Sequence, residues 1–255
     1  MTEQQDFTAS KPDQRIPVSR WLVPAVVVVA LVALVFVSTG RGGGGGEQPA
    51  AAPKPTTQTS APVVDDGTTG NIDVSVGRRQ AGDPYAMGKV DAPVVLVEFA
   101  DYRCPYCVKF ATDTKPELIR RYVDTGVLRI EWRDYPMFGE ESQYAALAAR
   151  AAGRQGKFWP YHEMAFAEAP RQGRASFPRE RLLEIAQRVG VADLKRFEAD
   201  LADPKIAEEI KADLDEGRRL GVSGTPAFVL NGRPMVGARP LEEFVAAIER
   251  LKNQR

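Results

Sequence analysis

The feature that most constrains this chain is a Cys-x-x-Cys pair placed where a predicted strand ends and a predicted helix begins. Val94–Ala100 (VVLVEFA) is a short apolar run rich in β-branched residues, as is typical of a buried central strand. Cys104-Pro-Tyr-Cys107 follows closely, and a helical pattern continues from about residue 105 to residue 123, where Pro116 is expected to kink it. The succession predicts an α/β fold with both thiols at the start of a helix.

The chemistry of this pair follows from how few metal ligands the chain offers. Its 255 residues include only two cysteines and one histidine, His162. A structural zinc site needs four ligands, and a disulfide across two residues constrains the unfolded chain little. A redox pair explains the position better, because Cys104 would face the positive end of the helix dipole, with Pro105 at the first helical position. We therefore predict that Cys104 is the reactive thiolate, with a pKa in the upper part of the range of about 3.5–7.5.

An uncharged segment near the amino terminus predicts a membrane anchor. Residues 21–40 carry no charge, and Trp21–Val37 is apolar apart from Pro24. About 20 such residues cross a hydrocarbon core about 30 Å thick. A cleaved signal peptide is the main alternative, but its apolar region is usually about 7–15 residues long and Ser38–Gly40 is a weak cleavage site. We expect an uncleaved transmembrane helix over residues 21–40.

Basic residues on the two sides of this segment predict its orientation. Lys11, Arg15 and Arg20 precede it, whereas Arg41 alone follows closely. This bias favours a cytoplasmic tail over residues 1–20 and an extracytoplasmic body attached to the cell membrane.

A low-complexity stretch separates the predicted anchor from the body. Gly42–Gly46 is a run of five glycines, and the Pro-, Ala-, Thr- and Gln-rich sequence after it has no aromatic residue up to Val64. Such a composition cannot bury enough surface to fold, so residues 41–71 are predicted to be a flexible, disordered linker before a domain over residues 72–255. The 34 basic and 34 acidic residues balance, which argues against a general nucleic-acid binder.

The rest of the body shows further helical and strand patterns. Four helices are predicted between two strand regions, over residues 142–153, 157–167, 179–189 and 192–220. Strands are predicted over residues 127–135, 227–230 and 234–236, and an amphipathic helix over residues 241–251. Asn231-Gly232 lies between the last two strands and is the dipeptide most typical of a two-residue hairpin turn.

Four motifs in this order carry a resemblance to a known family: Gly88–Pro93, Val94–Ala100, Cys104–Cys107 and Gly224–Phe228. Together they resemble the DsbA-like thiol:disulfide oxidoreductases, especially the membrane-anchored extracytoplasmic members of Gram-positive and actinobacterial cells. The likeness spans about residues 83–251. It implies a thioredoxin-like α/β fold with a four-helix insertion at about residues 139–221.

The resemblance also implies roles for individual residues. Cys104 matches the exposed, reacting cysteine and Cys107 its buried partner. Thr225-Pro226 matches a loop with a cis-proline that faces the pair, and these two residues, with Pro105 and Tyr106, would contact the client. An ordinary trans turn is the alternative, since Gly221 and Gly224 would permit one.

Glu98 matches a buried acid beneath the pair in this family. A carboxyl inside VVLVEFA should titrate at high pH or stay protonated, which suits a proton relay to Cys107. A solvated Glu98 at a strand edge is the alternative. We expect His162 to be a packing or surface residue, and Trp132, Trp159, Phe138 and Phe166 to build the core or line the groove.

The direction of catalysis is open from the motif. Strongly oxidising relatives often carry histidine where this chain has Tyr106, and the Cys-Pro-Tyr-Cys sequence also occurs in reducing glutaredoxins. The extracytoplasmic location favours a protein disulfide oxidase, and the linker in place of a dimerisation module weighs against an isomerase. A reductase or isomerase remains the alternative, followed by a non-enzymatic chaperone or a metal carrier that uses both thiols and His162.

The resemblance implies the partners as well. Reduced exported proteins would be the clients, and a quinone-linked membrane protein of the DsbB or vitamin K epoxide reductase type would reoxidise the enzyme. We expect a monomer that needs no cofactor and no metal, and whose contact with the membrane is through its own helix.

Overall fold

A five-stranded mixed sheet organises the chain, and strand β2 lies at its centre in the computed structural model, which describes residues 76–254. The strand order is β1-β3-β2-β4-β5, with β1 Ala86–Met87, β2 Val94–Ala100, β3 Leu128–Asp134, β4 Ala227–Leu230 and β5 Arg233–Val236. Strand β2 pairs in parallel with β3 and antiparallel with β4. All of its residues are buried, so the predicted central strand is confirmed.

A long helical run leaves the carboxyl end of β2, over the predicted residues. It consists of α1 (Pro105–Lys109), a π-helical turn, α2 (Lys115–Leu118) and a second π-helical turn that ends at Val123. Pro116 lies in the first turn of α2. Because proline has no N–H to donate, the regular hydrogen-bond ladder is interrupted there, and the wider turn over Phe110–Thr114 precedes it.

Five helices, not the predicted four, separate β3 from β4. They are α3 Glu140–Gly153, α4 Phe158–Ala167, α5 Arg179–Arg188, α6 Leu194–Asp200 and α7 Pro204–Arg219. The helix predicted over residues 192–220 is divided at Asp203, whose carboxylate accepts a hydrogen bond from the Lys205 N–H at 2.8 Å. With Pro204 at the start of α7, this cap begins a new helix. The prediction of one helix was wrong because a capping residue followed by proline was overlooked.

The segment from Ala227 to Leu251 follows its sequence patterns closely. Asn231 and Gly232 have φ angles of 45° and 81° and form the tight turn between β4 and β5. Both angles lie in the left-handed region, which a turn of this kind requires. Helix α8 covers Leu241–Leu251 as predicted. Strand β1 was not predicted, because two residues are too few to show an alternating pattern.

The predicted cytoplasmic tail over residues 1–20, the anchor over residues 21–40 and the whole linker over residues 41–71 lie outside the described residues. Between residues 76 and 254, no helix is both long enough and apolar enough to cross a membrane.

The core has three parts. Alternate residues of β2 point to opposite faces of the sheet, and Leu96 packs with Phe110, Phe228 and Phe244 beneath the helical run and α8. Phe99 packs on the other face. The third part lies among the five inserted helices and reaches the thiol pair.

A buried ion-pair network joins the inserted helices to the sheet. The Arg150 guanidinium on α3 donates to the Asp134 carboxylate at the end of β3 at 2.6 Å, and it also contacts Asp213 on α7. All three side chains are buried, and Arg150 lies over the Tyr85 ring at 4.0 Å. Buried charges are tolerated only when they are paired and hydrogen-bonded, so this network holds α3 and α7 in one position against β3.

Arg150→Met should therefore destabilise the protein strongly. The substitution leaves Asp134 without its buried counter-charge, and such a loss typically costs about 3–5 kcal/mol of unfolding free energy. Urea titration followed by circular dichroism measures this difference. Arg218→Met is the matched control, since the exposed Arg218–Asp215 pair at 3.5 Å should contribute little. Equal midpoints for the two variants would contradict the role given to the buried network.

Candidate active site

The two thiols lie at the junction between β2 and the helical run. Cys104 is the cap residue of α1 with an extended backbone (φ −78°, ψ 120°), and Pro105 is the first helical residue. Both cysteines are free and buried, with 3% of Cys104 and none of Cys107 exposed. The small exposed fraction of Cys104 makes it the sulfur that a partner can reach.

The environment shifts the pKa values of the two thiols in opposite directions. A hydrogen bond from the Cys107 thiol is the main cause that lowers the pKa of Cys104 to about 6, against the effect of burial. The backbone N–H groups of Cys107 and Tyr106 lower it further. Burial raises the pKa of Cys107 well above its usual value. At neutral pH the pair therefore holds a thiolate on Cys104 and a thiol on Cys107, as the position of the motif predicted.

The loop before β4 faces the pair. The Thr225-Pro226 peptide bond is cis, as predicted, and the Thr225 carbonyl oxygen lies 3.2 Å from the Cys104 sulfur, from which it accepts a hydrogen bond when that thiol is protonated. Pro226 is buried, whereas Tyr106 is 65% exposed beside the pair. The structure thus brings Thr225, Pro105 and Tyr106 around the accessible sulfur.

Asp101 supports the turn that carries Cys104. One oxygen of its buried carboxylate accepts from the Arg103 N–H at 2.8 Å and from the Ser142 hydroxyl at 2.9 Å. The other oxygen accepts from the Met137 N–H at 2.6 Å. These contacts tie the turn to α3 and to the loop after β3. Sequence reasoning did not select Asp101, since its partners are distant in the chain.

Arg103, next to Cys104, forms its hydrogen bonds with two neighbouring loops. Its guanidinium donates to the Phe138 carbonyl at 2.7 Å and to the Ala175 carbonyl at 2.8 Å. It therefore fixes two loops that flank the site and is not a hydrogen-bond donor to the Cys104 sulfur.

Glu98 lies beneath the pair, fully buried in β2. Its position between Trp132 on β3 and Phe228 on β4 shows that the alternative of a solvated strand-edge residue was wrong. Burial raises the pKa of Glu98, and Lys115, whose Nζ lies 2.7 Å from Oε2, opposes this shift. The charge on Glu98 in turn contributes to the raised pKa of Cys107.

A buried polar chain extends from Glu98 into the inserted helices. Lys115 Nζ lies 2.9 Å from His162 Nε2, and His162 Nδ1 lies 3.1 Å from the Tyr102 hydroxyl. Lys115 and His162 are 3% and 1% exposed, so His162 is not a surface residue. Burial, together with nearby Lys115, holds the pKa of His162 well below its usual value, and the imidazole is neutral.

Sequence reasoning missed Lys115 and underrated His162, although both positions carry a signal. Lys115 follows Cys107 by two helical turns and shares the apolar stripe of Leu118 and Tyr122. His162 lies on the buried face of α4, in the i, i+4 relation to Phe158 and Phe166. A charged or polar residue on such a stripe needs a buried partner.

Of the four aromatic residues singled out in the sequence, Trp132 and Phe166 are core residues, and Trp159 and Phe138 are half-buried against the core. Trp132 and Phe166 both pack on His162. Both ring nitrogens of His162 are engaged by Lys115 and Tyr102, an arrangement that does not suit a metal ligand shared with the thiols. Across residues 76–254, no group of three or more His, Cys, Asp or Glu side chains is placed to hold a metal ion.

Comparisons with known proteins agree with this geometry. The thioredoxin family model matches residues 80–250. The structure of oxidised BdbD from Bacillus subtilis superimposes with a TM-score of 0.62 and 25% identity, over 66% of this chain and 92% of that one. Disulfide bond formation protein D of Bacillus subtilis is 27% identical over 71% of this chain and 82% of its own length.

One further relative differs in size. The Na(+)/H(+) antiporter NhaA 3 of Salinispora tropica is 37% identical over 166 residues, which are 64% of this chain. The match covers only 24% of the antiporter. The likeness thus extends to about a quarter of that longer protein.

Removing the Cys107 sulfur should raise the pKa of Cys104, because the largest contribution to its low value is the hydrogen bond from Cys107. In the reduced wild-type protein, the alkylation rate of Cys104 should rise with pH to a midpoint near 6, where the thiolate forms. In Cys107→Ala the midpoint should move up toward that of an ordinary cysteine. Cys107→Ser, whose hydroxyl retains a hydrogen-bond donor, is the matched variant. Its midpoint should fall between those of the wild type and Cys107→Ala. An unchanged midpoint in Cys107→Ala would refute this origin of the shift.

Proposed function

The chain belongs to the thioredoxin family. We propose that it is a DsbA-like thiol:disulfide oxidoreductase that oxidises cysteine pairs of exported proteins to disulfides. The observation that carries the direction is the lowered pKa of Cys104, about 6. A stabilised thiolate favours the reduced form of the enzyme at neutral pH, so its disulfide accepts electrons from clients readily. The name of the Bacillus relative, a disulfide bond formation protein, supports the same direction.

The reaction uses the unequal access of the two sulfurs. In the oxidised enzyme a client thiolate attacks Cys104, a mixed disulfide forms, and the bond between Cys104 and Cys107 breaks with the electron pair on Cys107. A second client thiolate then attacks the client sulfur of the mixed disulfide and expels Cys104 as a thiolate. The client has lost two electrons and the enzyme has gained them. Because Cys104 ionises easily, it is a good leaving group in this last step.

Cys107 needs a proton when it leaves, and Glu98 is the group proposed to supply it. Cys107 is fully buried, so bulk water does not reach its sulfur. Burial raises the pKa of Glu98, which keeps the carboxyl in its protonated form to higher pH. A buried acid whose charge interacts with that of Cys107 can donate a proton to it in one direction of exchange and accept a proton from it in the other.

The client is proposed to bind along the loop that faces Cys104. The backbone of Thr225 lies beside the accessible sulfur, where an extended segment could pair with it in the manner of an added strand. The exposed ring of Tyr106 and the adjacent Pro105 would contact the same segment, with Pro226 beneath it. Backbone pairing accepts many sequences, which suits an enzyme with many clients.

A reductase or isomerase is the second candidate, since the motif also occurs in reducing proteins. The stabilised Cys104 thiolate weighs against it, because a reductant must give its electrons away readily. A metal carrier is less suited to the site, because His162 is engaged by Lys115 and Tyr102.

The cellular setting is part of the proposal. We place the body outside the cell membrane, held by a helix over residues 21–40 and a linker over residues 41–71. Each client disulfide leaves two electrons on the enzyme, and a quinone-linked membrane protein of the DsbB or vitamin K epoxide reductase type would accept them.

The direction of catalysis is tested with the full-length protein and two assays. The oxidised protein should oxidise reduced, unfolded ribonuclease A several-fold faster than the reduced protein reduces insulin, and a ribonuclease activity assay reports the first reaction. Cys104→Ser should abolish both reactions, because the client has no accessible sulfur to attack. Faster insulin reduction than ribonuclease oxidation would favour the reductase instead.

The anchor is tested by membrane fractionation of cells that express the full-length chain. The protein should sediment with membranes, resist extraction with carbonate, and lose its body when protease is added to intact spheroplasts. A variant with Lys inserted in place of Val28, Ala30 and Leu34 should be released from the membrane fraction. A wild-type protein found free in the supernatant and beginning near Arg41 would defeat the anchor.

A further inference from the structure

We propose that His162 is a positioning residue of the redox reaction: it holds the Lys115 ammonium against Glu98 and so connects inserted helix α4 to proton transfer at Cys107. The inference rests on the proposed oxidase function and deepens it. It is carried by the unbroken line of contacts from Glu98 through Lys115 to His162, all within the protein interior.

Lys115 has two polar neighbours, one on each side. Its Nζ lies 2.7 Å from Glu98 Oε2 on the strand side and 2.9 Å from His162 Nε2 on the side of α4. The rest of its surroundings is aromatic, since the Phe110, Trp132 and Trp159 ring centres lie 5.5–5.7 Å from Nζ. A buried ammonium needs acceptors for its protons, and His162 supplies one of the two.

The donor and acceptor roles follow from the chemistry of the groups. An ammonium can only donate, so His162 Nε2 must be the unprotonated nitrogen of the ring. The ring proton then lies on Nδ1, which can donate to the Tyr102 oxygen 3.1 Å away. The neutral state of the buried imidazole agrees with this assignment. Tyr102 therefore fixes the tautomer in which His162 accepts from Lys115.

The consequence for Glu98 has a definite sign. Without an acceptor at His162, the buried ammonium loses one of its two polar partners and is no longer held at 2.7 Å from Glu98 Oε2. Glu98 then loses part of the positive charge that opposes the effect of burial, and its pKa moves up. His162 thus acts on the carboxyl only through Lys115, and its effect should disappear when position 98 cannot ionise.

Other titratable groups also face this cluster. Cys107 on α1 is the group whose protonation Glu98 is proposed to assist. The charges of Asp134, Arg150 and Tyr161 affect the pKa of Tyr102 through space. Asp134 and Arg150 are paired at 2.6 Å, so their fields largely cancel. Tyr161 donates to the Leu182 carbonyl at 3.2 Å on another side of α4. None of these groups touches Lys115.

The test follows ribonuclease oxidation by the full-length protein as a function of pH. At each pH, the rate of each protein is divided by the rate of the same protein that also carries Glu98→Gln. In this ratio the contribution of Glu98 appears as a step. His162→Phe should move the midpoint of the step up by about one pH unit, a tenfold change in the ionisation ratio. His162→Gln, which retains an acceptor, should stay near the wild-type midpoint. Tyr161→Phe removes one hydroxyl from the same helix and should leave the midpoint unchanged.

A double-variant comparison separates positioning from simple loss of structure. In the Glu98→Gln background, His162→Phe should cause no further change in the shape of the pH profile. If His162→Phe does not fold, Tyr102→Phe replaces it, because loss of the Nδ1 partner should move the midpoint in the same direction by less.

The outcomes are decisive for this inference alone. Two results would overturn the role of His162. One is a midpoint in His162→Phe equal to that of the wild type. The other is that His162→Phe changes the pH profile as much in the Glu98→Gln background as it does when Glu98 is present. If Tyr102→Phe is the variant used, an unmoved midpoint overturns it as well. Failure of the wild-type protein to oxidise ribonuclease would instead refute the oxidase function.

Discussion

Strand β2 is hydrogen-bonded on both edges and buried on both faces, and the proposed redox site is built on residues in this strand and at its carboxyl end. Its burial places Glu98 in the interior, where the carboxyl cannot be solvated. Its carboxyl end presents Asp101, whose carboxylate fixes the turn that leads to Cys104. A strand at the edge of the sheet could do neither, because one side of it would face water.

The spacing of the motif gives two identical thiols opposite environments. Cys104 caps the helix and lies near N–H groups without helical partners, whereas Cys107 is one turn further and fully buried. The same short segment therefore lowers one pKa and raises the other. An accessible thiolate beside a buried thiol is what thiol–disulfide exchange through a mixed disulfide requires.

The inserted helices belong to the same physical unit as the sheet. Arg150 on α3 pairs with Asp134 at the end of β3, and the same carboxylate accepts from the Trp132 indole at 2.8 Å. Trp132 packs on His162 of α4 with ring centres 4.5 Å apart, and His162 contacts Lys115. The five helices thus do more than cover the site, since they provide part of the buried polar chain that leads to it.

Local patterns in the sequence were sufficient to predict β2, the Asn231-Gly232 turn, helix α8 and the thiol pair at the junction. Each of these depends on neighbours in the chain: an apolar run, two residues that tolerate positive φ, an amphipathic repeat, and a Cys-x-x-Cys motif after a strand. The break at Asp203 was also local, and a capping residue followed by proline carried its signal. The ion pair of Lys115 with Glu98 and the contact of Lys115 with His162 were decided only by the tertiary structure. These groups lie on a strand and two helices far apart in sequence, and periodicity shows that a polar residue is buried but not which partner it meets.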